Sequence, residues 1–196
     1  RDLVRSRGLG DVYKRQAYEL GLKSDWLDRR LRINVTGFYY DYTDIQLTVS
    51  TATASGNFVA LTENAGKARS KGLELELQAA PVNGLLIEGA VGYIDAEYRD
   101  VGTAQNVTLD SAFVNTPEWT ANSSVSYSLP LANGGSLTFR GNWSYRSKYY
   151  VNPQNDEAMS QDGFSLFGAR VTYADPDGRW KLAAFGTNLA NKKYIN

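Results

Sequence analysis

Charged side chains that alternate with apolar residues are the groups in this chain with the clearest chemical capacity. Carboxylates and guanidinium groups at such spacing can form ion pairs, bind a charged ligand or exchange protons. The candidates are Glu74, Glu76, Glu88, Arg140, Arg146 and Arg170. We expect them to face a polar interior in which the arginines pair with the acids, and contact with a ligand is the alternative.

Two missing residue types limit this chemistry further. The chain contains no histidine and no cysteine. Without imidazole or thiol groups it cannot carry a Ser-His-Asp triad, a thiol nucleophile or a thiolate metal site. We therefore predict that the protein is not an enzyme and that it has no catalytic residue, no metal site and no cofactor.

The composition excludes two further classes of protein. The 196 residues include 21 lysines and arginines against 21 aspartates and glutamates, so the formal net charge is zero. A chain without net positive charge is a poor candidate for binding nucleic acid, and we predict no nucleic-acid partner. No segment approaches the roughly 18 to 20 consecutive apolar residues of a membrane-spanning helix. The charged residues must therefore be positioned by strands.

Apolar and polar residues alternate with a period of two through most of the chain. Leu31, Ile33 and Val35 fall on one parity, whereas Arg32 and Asn34 fall on the other. Successive side chains of a strand point to opposite faces, so this pattern predicts strands with one apolar and one polar face. Eight strands are predicted, at residues 18–24, 31–49, 68–80, 85–98, 119–129, 137–146, 167–173 and 180–189.

The connections between these strands are predicted to alternate between short turns and long loops. Short turns are expected at residues 25–30, 81–84, 130–135 and 174–179. Longer polar loops are expected at about 50–67, 99–118 and 149–163. Bacterial outer-membrane barrels have this arrangement, with short periplasmic turns and long extracellular loops. The sequence therefore predicts an all-β fold, an antiparallel up-and-down transmembrane β-barrel.

Aromatic residues mark both ends of the predicted strands. Those near the short turns are Trp26, Tyr127, Tyr173 and Trp180, and those near the long loops are Tyr39, Tyr93, Trp119 and Tyr145. Such girdles lie at the two membrane interfaces of a barrel, whose apolar face meets lipid and whose polar face lines the lumen. A soluble β-sandwich is the alternative. Strand length favours the membrane, because a barrel strand needs roughly 9 to 11 residues to cross it.

The first sixteen residues do not share this pattern. The segment 1–16, RDLVRSRGLGDVYKRQ, holds five basic and two acidic residues and shows no alternation. It resembles a translated sequencing-adapter scar, so we expect it to be non-native. An ordinary basic loop is the alternative.

Several segments together resemble TonB-dependent outer-membrane receptors. Near the C-terminus, Phe185-Gly186-Thr187-Asn188-Leu189 followed by Asn191-Lys192-Lys193-Tyr194 is similar to the family's penultimate-strand signature. Three further segments, at 38–46, 63–76 and 116–119, resemble the family in the same order. The residues that carry the C-terminal motif are Gly186, Asn188, Leu189 and Tyr194.

The resemblance implies a fold and a function that we state as expectations. Residues 17–196 would be the C-terminal part of a 22-stranded barrel, about eight of its strands, open or incompletely closed as a fragment. The plug domain and the final closing strand are expected to be absent from this chain. The family takes up large scarce solutes across the bacterial outer membrane, most often a ferric siderophore, with cobalamin and oligosaccharides as alternative cargoes. Its implied partners are outer-membrane lipid, the plug of the same full-length chain and a TonB-type energy transducer. A self-contained eight-stranded outer-membrane barrel with a structural or adhesive role is the alternative.

Overall fold

The protein was analysed as a computed structural model, which describes residues 14–52, 58–102, 104 and 107–195. Most of the N-terminal segment 1–16 therefore lies outside the described residues. Its last three residues belong to the first strand, where Lys14 pairs with Thr43 and Gln16 with Asp41. This strand begins four residues before the predicted start at Tyr18.

The described residues form one antiparallel sheet of eight strands and a separate hairpin whose two strands have two residues each. The strands of the sheet are β1 (Lys14–Trp26), β2 (Leu31–Ala52), β3 (Phe58–Ala79), β4 (Leu85–Asp100), β5 (Trp119–Pro130), β6 (Ser136–Arg146), β9 (Phe164–Ala174) and β10 (Lys181–Gly186). The hairpin is β7 (Tyr149–Tyr150) and β8 (Ser160–Gln161), with the 3-10 helix Glu157–Met159 between them. Neighbours in the sheet follow chain order, from β1 through β6 to β9 and β10. The predicted all-β, up-and-down antiparallel architecture is confirmed.

Short turns connect the strands at one end of the sheet. In the first, Leu27, Asp28 and Arg29 all adopt positive φ angles of 54° to 65°. In the second, Gly84 has a φ of 83°, a conformation that glycine adopts without a steric penalty, and its carbonyl accepts the amide of Ser128 at 2.8 Å. These turns lie at the predicted positions 25–30 and 81–84.

The prediction of a long loop at about 50–67 is wrong. Strands β2 and β3 are 22 residues long each, and their pairing continues from Gln46 with Asn64 to Ala52 with Phe58. The pairing shifts register beside Asp44, which has a φ of 59°, and then resumes. Asp41 and Thr43 interrupt the apolar parity of β2, which resumes at Ile45, Leu47 and Val49, so the predicted strand 31–49 ends three residues before β2 does. The pairing over 58–67 was not predicted, because backbone hydrogen bonds need no apolar face.

The loop predicted at 149–163 contains the small β7–β8 hairpin, and it contacts the neighbouring loop. The amide of Asn115 donates to the carbonyl of Tyr150 at 2.8 Å, and the side-chain amide of Asn155 donates to Ala112 at 3.1 Å. The two loops therefore form one structure at the end of the sheet opposite the short turns. In the described part of the chain, no helix has the length and apolar character needed to cross a membrane.

The sheet is a single layer without a conventional core. Among the described residues, only four hydrophobic side chains are buried, those of Ala68, Val107, Tyr149 and Phe164. A β-sandwich needs a second sheet packed against the first, and no second sheet covers the apolar face of the described residues. The sandwich alternative is therefore wrong. Strands β1 and β10 each have one neighbour and do not pair with each other, so the sheet is open, as expected.

Candidate functional site

The sheet has two unlike faces, and each collects one group of the predicted residues. The polar face carries all six predicted charged residues: Glu74 and Glu76 on β3, Glu88 on β4, Arg140 and Arg146 on β6, and Arg170 on β9. Register places them on one side, because Glu74 lies in line with Gly92, Thr120 and Arg146 across four strands. This face is the candidate functional surface.

One ion-pair cluster spans the middle of the polar face. The Arg140 Nη2 atom lies 3.1 Å from Glu88 Oε2 and donates to Ser124 Oγ at 2.8 Å, while that hydroxyl donates to Glu88 at 3.0 Å. Ser124 is 7% exposed, whereas the two charged side chains are 45% and 39% exposed. Solvent screens a pair with that exposure, so the cluster orients the side chains more than it stabilises the fold.

The other predicted charges are less engaged. Glu76 accepts a hydrogen bond from the Asn34 side-chain amide at 3.0 Å, and Arg170 donates to the Thr172 hydroxyl at 3.2 Å. Within the described residues, Glu74 and Arg146 take part in no ion pair. No group of acidic residues in the described part of the chain could hold a metal ion. Four of the six charges thus form no ion pair among the described residues, although Glu76 and Arg170 are hydrogen-bonded.

The apolar face carries the eight predicted aromatic residues in two rows. The turn-side row comprises Trp26, Tyr127, Tyr173 and Trp180, and the loop-side row comprises Tyr39, Tyr93, Trp119 and Tyr145. One pair in each row is in contact: the ring centroids of Tyr93 and Trp119 lie 4.7 Å apart, and those of Tyr173 and Trp180 lie 5.2 Å apart. Between the rows, large apolar side chains are exposed.

Beyond the loop-side aromatic row, the same face becomes charged. Lys71 lies 3.0 Å from Asp95, and Arg99 lies 3.0 Å from Glu97, which also pairs with Arg69. Sequence analysis did not identify this charged band. The signal was available, because the apolar parity of β3 and β4 continues as Lys71, Arg69, Asp95 and Glu97.

A cavity of about 560 Å³ lies on the polar face at the loop end of β2, β3 and β4. The segment 107–118 folds over this part of the sheet, and the Phe113 ring stacks on Tyr98 with centroids 4.2 Å apart and planes 8° apart. Burial under the loop raises the pKa of the Tyr98 phenol. Sequence analysis missed the cavity, because a loop that folds inward has no periodic signal. Its lining includes Tyr42, Ser70, Ile94, Tyr98, Phe113 and Thr116.

The four residues of the C-terminal motif shape the chain after β10. Asn188 has a φ of 48°, and its side chain accepts the Lys192 amide at 2.8 Å and donates to the Lys192 carbonyl at 2.9 Å. This turn ends β10 at Gly186, three residues before the predicted end. The Leu189 amide donates to the Phe167 carbonyl at 2.9 Å.

The other motif residues divide between the two faces, because Gly186 lies in line with Ala169, Gly141 and Val125 on the apolar face, whereas Tyr194 packs on the polar face. A Cβ atom at Gly186 would lie 2.8 Å from Leu189 Cδ2, so glycine leaves room for that side chain. The Tyr194 ring stacks on Phe164, with centroids 4.9 Å apart and planes 14° apart. Together with Arg146, these two rings line a second cavity of about 340 Å³.

Comparisons with known proteins agree with this geometry. The sequence profile described as TonB dependent receptor-like, beta-barrel matches residues 13–189. The metal-pseudopaline receptor CntO of Pseudomonas aeruginosa is 27% identical over 199 aligned positions, which cover 94% of this chain and 24% of CntO. The ferric-pyoverdine M114 receptor PbuA of Pseudomonas sp. strain M114 is 23% identical over 92% of this chain and 21% of its own length.

A solved structure shows the same fold. The crystal structure of the ferric yersiniabactin uptake receptor FyuA from Yersinia pestis superposes with a TM-score of 0.76 at 20% identity. The match covers 93% of this chain and 26% of that protein. The chain therefore spans about a quarter of the length of the proteins that it resembles.

Proposed function

Because the chain belongs to the TonB-dependent receptor-like β-barrel family, we propose that it forms part of the wall of an outer-membrane receptor that imports a scarce solute. Import would draw energy from a TonB-type protein that acts on a plug domain of the same full-length chain. This segment would supply wall and loops, without a catalytic step.

The exposed apolar face carries the membrane part of the proposal. Leu20 is 82% exposed, Leu22 is 66% exposed and Leu182 is 67% exposed, although all three are large hydrophobic residues. Soluble monomers rarely expose a continuous apolar surface of this kind. We propose that outer-membrane lipid covers it.

The spacing of the aromatic rows supports this placement. On β5, Trp119 and Tyr127 are eight residues apart on the same face. At about 3.3 Å per residue and a tilt of about 40°, they are separated by roughly 20 Å along the membrane normal. The apolar band of an outer-membrane barrel is about 25 Å tall. The two rows would then lie at the two interfaces, with the long loops outside the cell.

The polar face would look into the lumen, where the plug of the full-length receptor would sit. The unpaired edges of β1 and β10 support a larger barrel, because open edges expose unpaired backbone groups that favour aggregation. We propose that further strands of a 22-stranded barrel pair with both edges. Such a barrel is wide enough to hold a plug.

Ferric siderophore is the proposed cargo. The names of CntO, PbuA and FyuA each refer to a metal chelate, and the names of PbuA and FyuA specify iron. The test is a strain from which the full-length gene is deleted, grown under iron limitation with single ferric siderophores as the iron source. We expect growth to fail on at least one siderophore and to return on complementation. Equal growth of the deletion and parent strains on every siderophore tested contradicts the proposal.

Refolding of the 196-residue chain separates the proposal from the self-contained barrel. If this chain alone refolds in detergent into a heat-modifiable, protease-resistant barrel, the alternative is supported and the larger barrel is wrong. We expect it to aggregate through its open edges.

A further inference from the structure

We infer that the 560 Å³ cavity between the polar face and segment 107–118 binds the aromatic arm of an uncharged metal chelate. This inference rests on the proposed function and names the chemical class of its cargo. Pockets of about 300 to 1,000 Å³ suit small organic ligands, so the volume admits a chelate arm.

Aromatic rings form the walls of the cavity. Tyr98 on β4 and Phe113 on the loop are stacked, which fixes the planes of both rings, and each remains half-buried with ring surface open to the cavity. Tyr42 and Ile94 extend this apolar surface. Aromatic groups pack favourably on such rings in offset or edge-to-face geometry.

The charge distribution argues against an anionic ligand. Arg69 is the one residue with a charged side chain among those that line the cavity, and its guanidinium pairs with Glu97 on the opposite face of the sheet. The guanidinium of Arg15 lies 5.8 Å from the Tyr42 ring centroid but is held over Tyr40 at 3.8 Å. A buried anion without a cationic partner is strongly disfavoured, whereas a neutral ring is not.

Two hydroxyl groups give the cavity some polar selectivity. Within the described residues, the hydroxyls of Tyr98 and Ser70 make no side-chain hydrogen bond to the protein. Ser70 is 8% exposed. Because burial raises the pKa of Tyr98, its phenol stays protonated and can donate to an oxygen that binds the metal. The site thus combines ring surface with a neutral donor.

The test compares two neutral iron complexes that differ in their rings. A full-length receptor carrying this segment is purified in detergent, and binding of radioactive iron(III) tris(tropolonate) and iron(III) tris(acetohydroxamate) is measured by equilibrium dialysis. We expect the aromatic complex to bind about five- to tenfold more tightly, the size of an aromatic contact. The Phe113→Leu variant should lose most of that preference.

A matched pair of variants localises the effect. Ala96→Phe fills the cavity from β4, whereas Ala158→Phe adds the same ring to the exposed 3-10 helix outside it. We expect Ala96→Phe to abolish the preference and Ala158→Phe to retain it. Equal affinity for the two complexes, no binding of either, or full preference in Ala96→Phe overturns the inference. Siderophore-dependent growth in the deletion and complementation test would still support the proposed function in that case.

Discussion

An arginine placed at one of two adjacent positions on β3 tests which face of the sheet meets lipid. Leu77 lies on the apolar face and pairs with Gly89, which is four residues from Tyr93 and four from Leu85 on β4. Tyr93 and Leu85 pair with Trp119 and Tyr127 of the two aromatic rows. Leu77 therefore lies midway between the rows, at the proposed bilayer midplane.

Leu77→Arg should be costly, because a guanidinium at that depth has no water. The expected loss is about 2 to 4 kcal/mol of unfolding free energy. That range corresponds to a change of about 30- to 700-fold in the unfolding equilibrium. Gln78→Arg introduces the same side chain one residue later, on the polar face beside Glu88, and should change the unfolding free energy by less than about 1 kcal/mol.

The assay is guanidinium unfolding of the full-length receptor in phospholipid vesicles, followed by tryptophan fluorescence. Both variants and the parent are measured in the same lipid. If Gln78→Arg costs as much as Leu77→Arg, or if both are nearly neutral, the assignment of the two faces is refuted.

Two further outcomes are expected. First, Gly72→Ala should destabilise the receptor by about 1 to 3 kcal/mol in the same unfolding assay, because the added Cβ would collide with the Tyr93 carbonyl oxygen. In the control variant Gly141→Ala, the added Cβ meets no atom within 4 Å, and the unfolding free energy should be nearly unchanged. Second, the β7–β8 hairpin should loosen in acid. Lys148 Nζ donates to both Glu157 oxygens, at 2.8 and 2.6 Å, and lowers the pKa of that carboxyl. A lowered pKa means that the link is intact above the ordinary carboxyl pKa and is lost as the pH falls through the lowered value.

Amide hydrogen exchange in the hairpin checks the second outcome. Compared at the same pH, the parent should be better protected than Glu157→Gln near pH 7, and the difference should vanish as the pH falls through the lowered pKa of Glu157. Equal protection at neutral pH would show that the ion pair does not hold the hairpin. For the glycine pair, equal losses would mean that the close approach at Gly72 is unimportant.

Sequence predicted the elements in which alternation and strand pairing coincide. Strand β5 was expected at 119–129 and observed at Trp119–Pro130, because Val125 and Tyr127 oppose a run of serines on the other face. The placement of the six charged residues on one polar face was also predicted, from the alternation of their positions along the strands alone. A period of two fixes the face of every residue once one residue is assigned.

Features without a period were not predicted. The predicted strand 31–49 already included most of the β2 extension beyond Asp44, but the extension of β3 over 58–67 contains Thr62, Asn64 and Gly66 and has the composition of a loop, so its pairing was not predicted. The fold of segment 107–118 over the sheet depends on the contact of Phe113 with Tyr98, fifteen residues earlier. The early end of β10 depends on the positive φ of Asn188, which asparagine tolerates better than most residues.

The most direct test of the account is accumulation of radioactive ferric siderophore by intact cells that produce the full-length receptor. The siderophore is the one that the growth test identifies, and parallel cells lack either the receptor gene or the TonB-type transducer. We predict accumulation only when both proteins are present. Undiminished accumulation in cells without the transducer, or in cells without the receptor, would contradict energised import through this barrel.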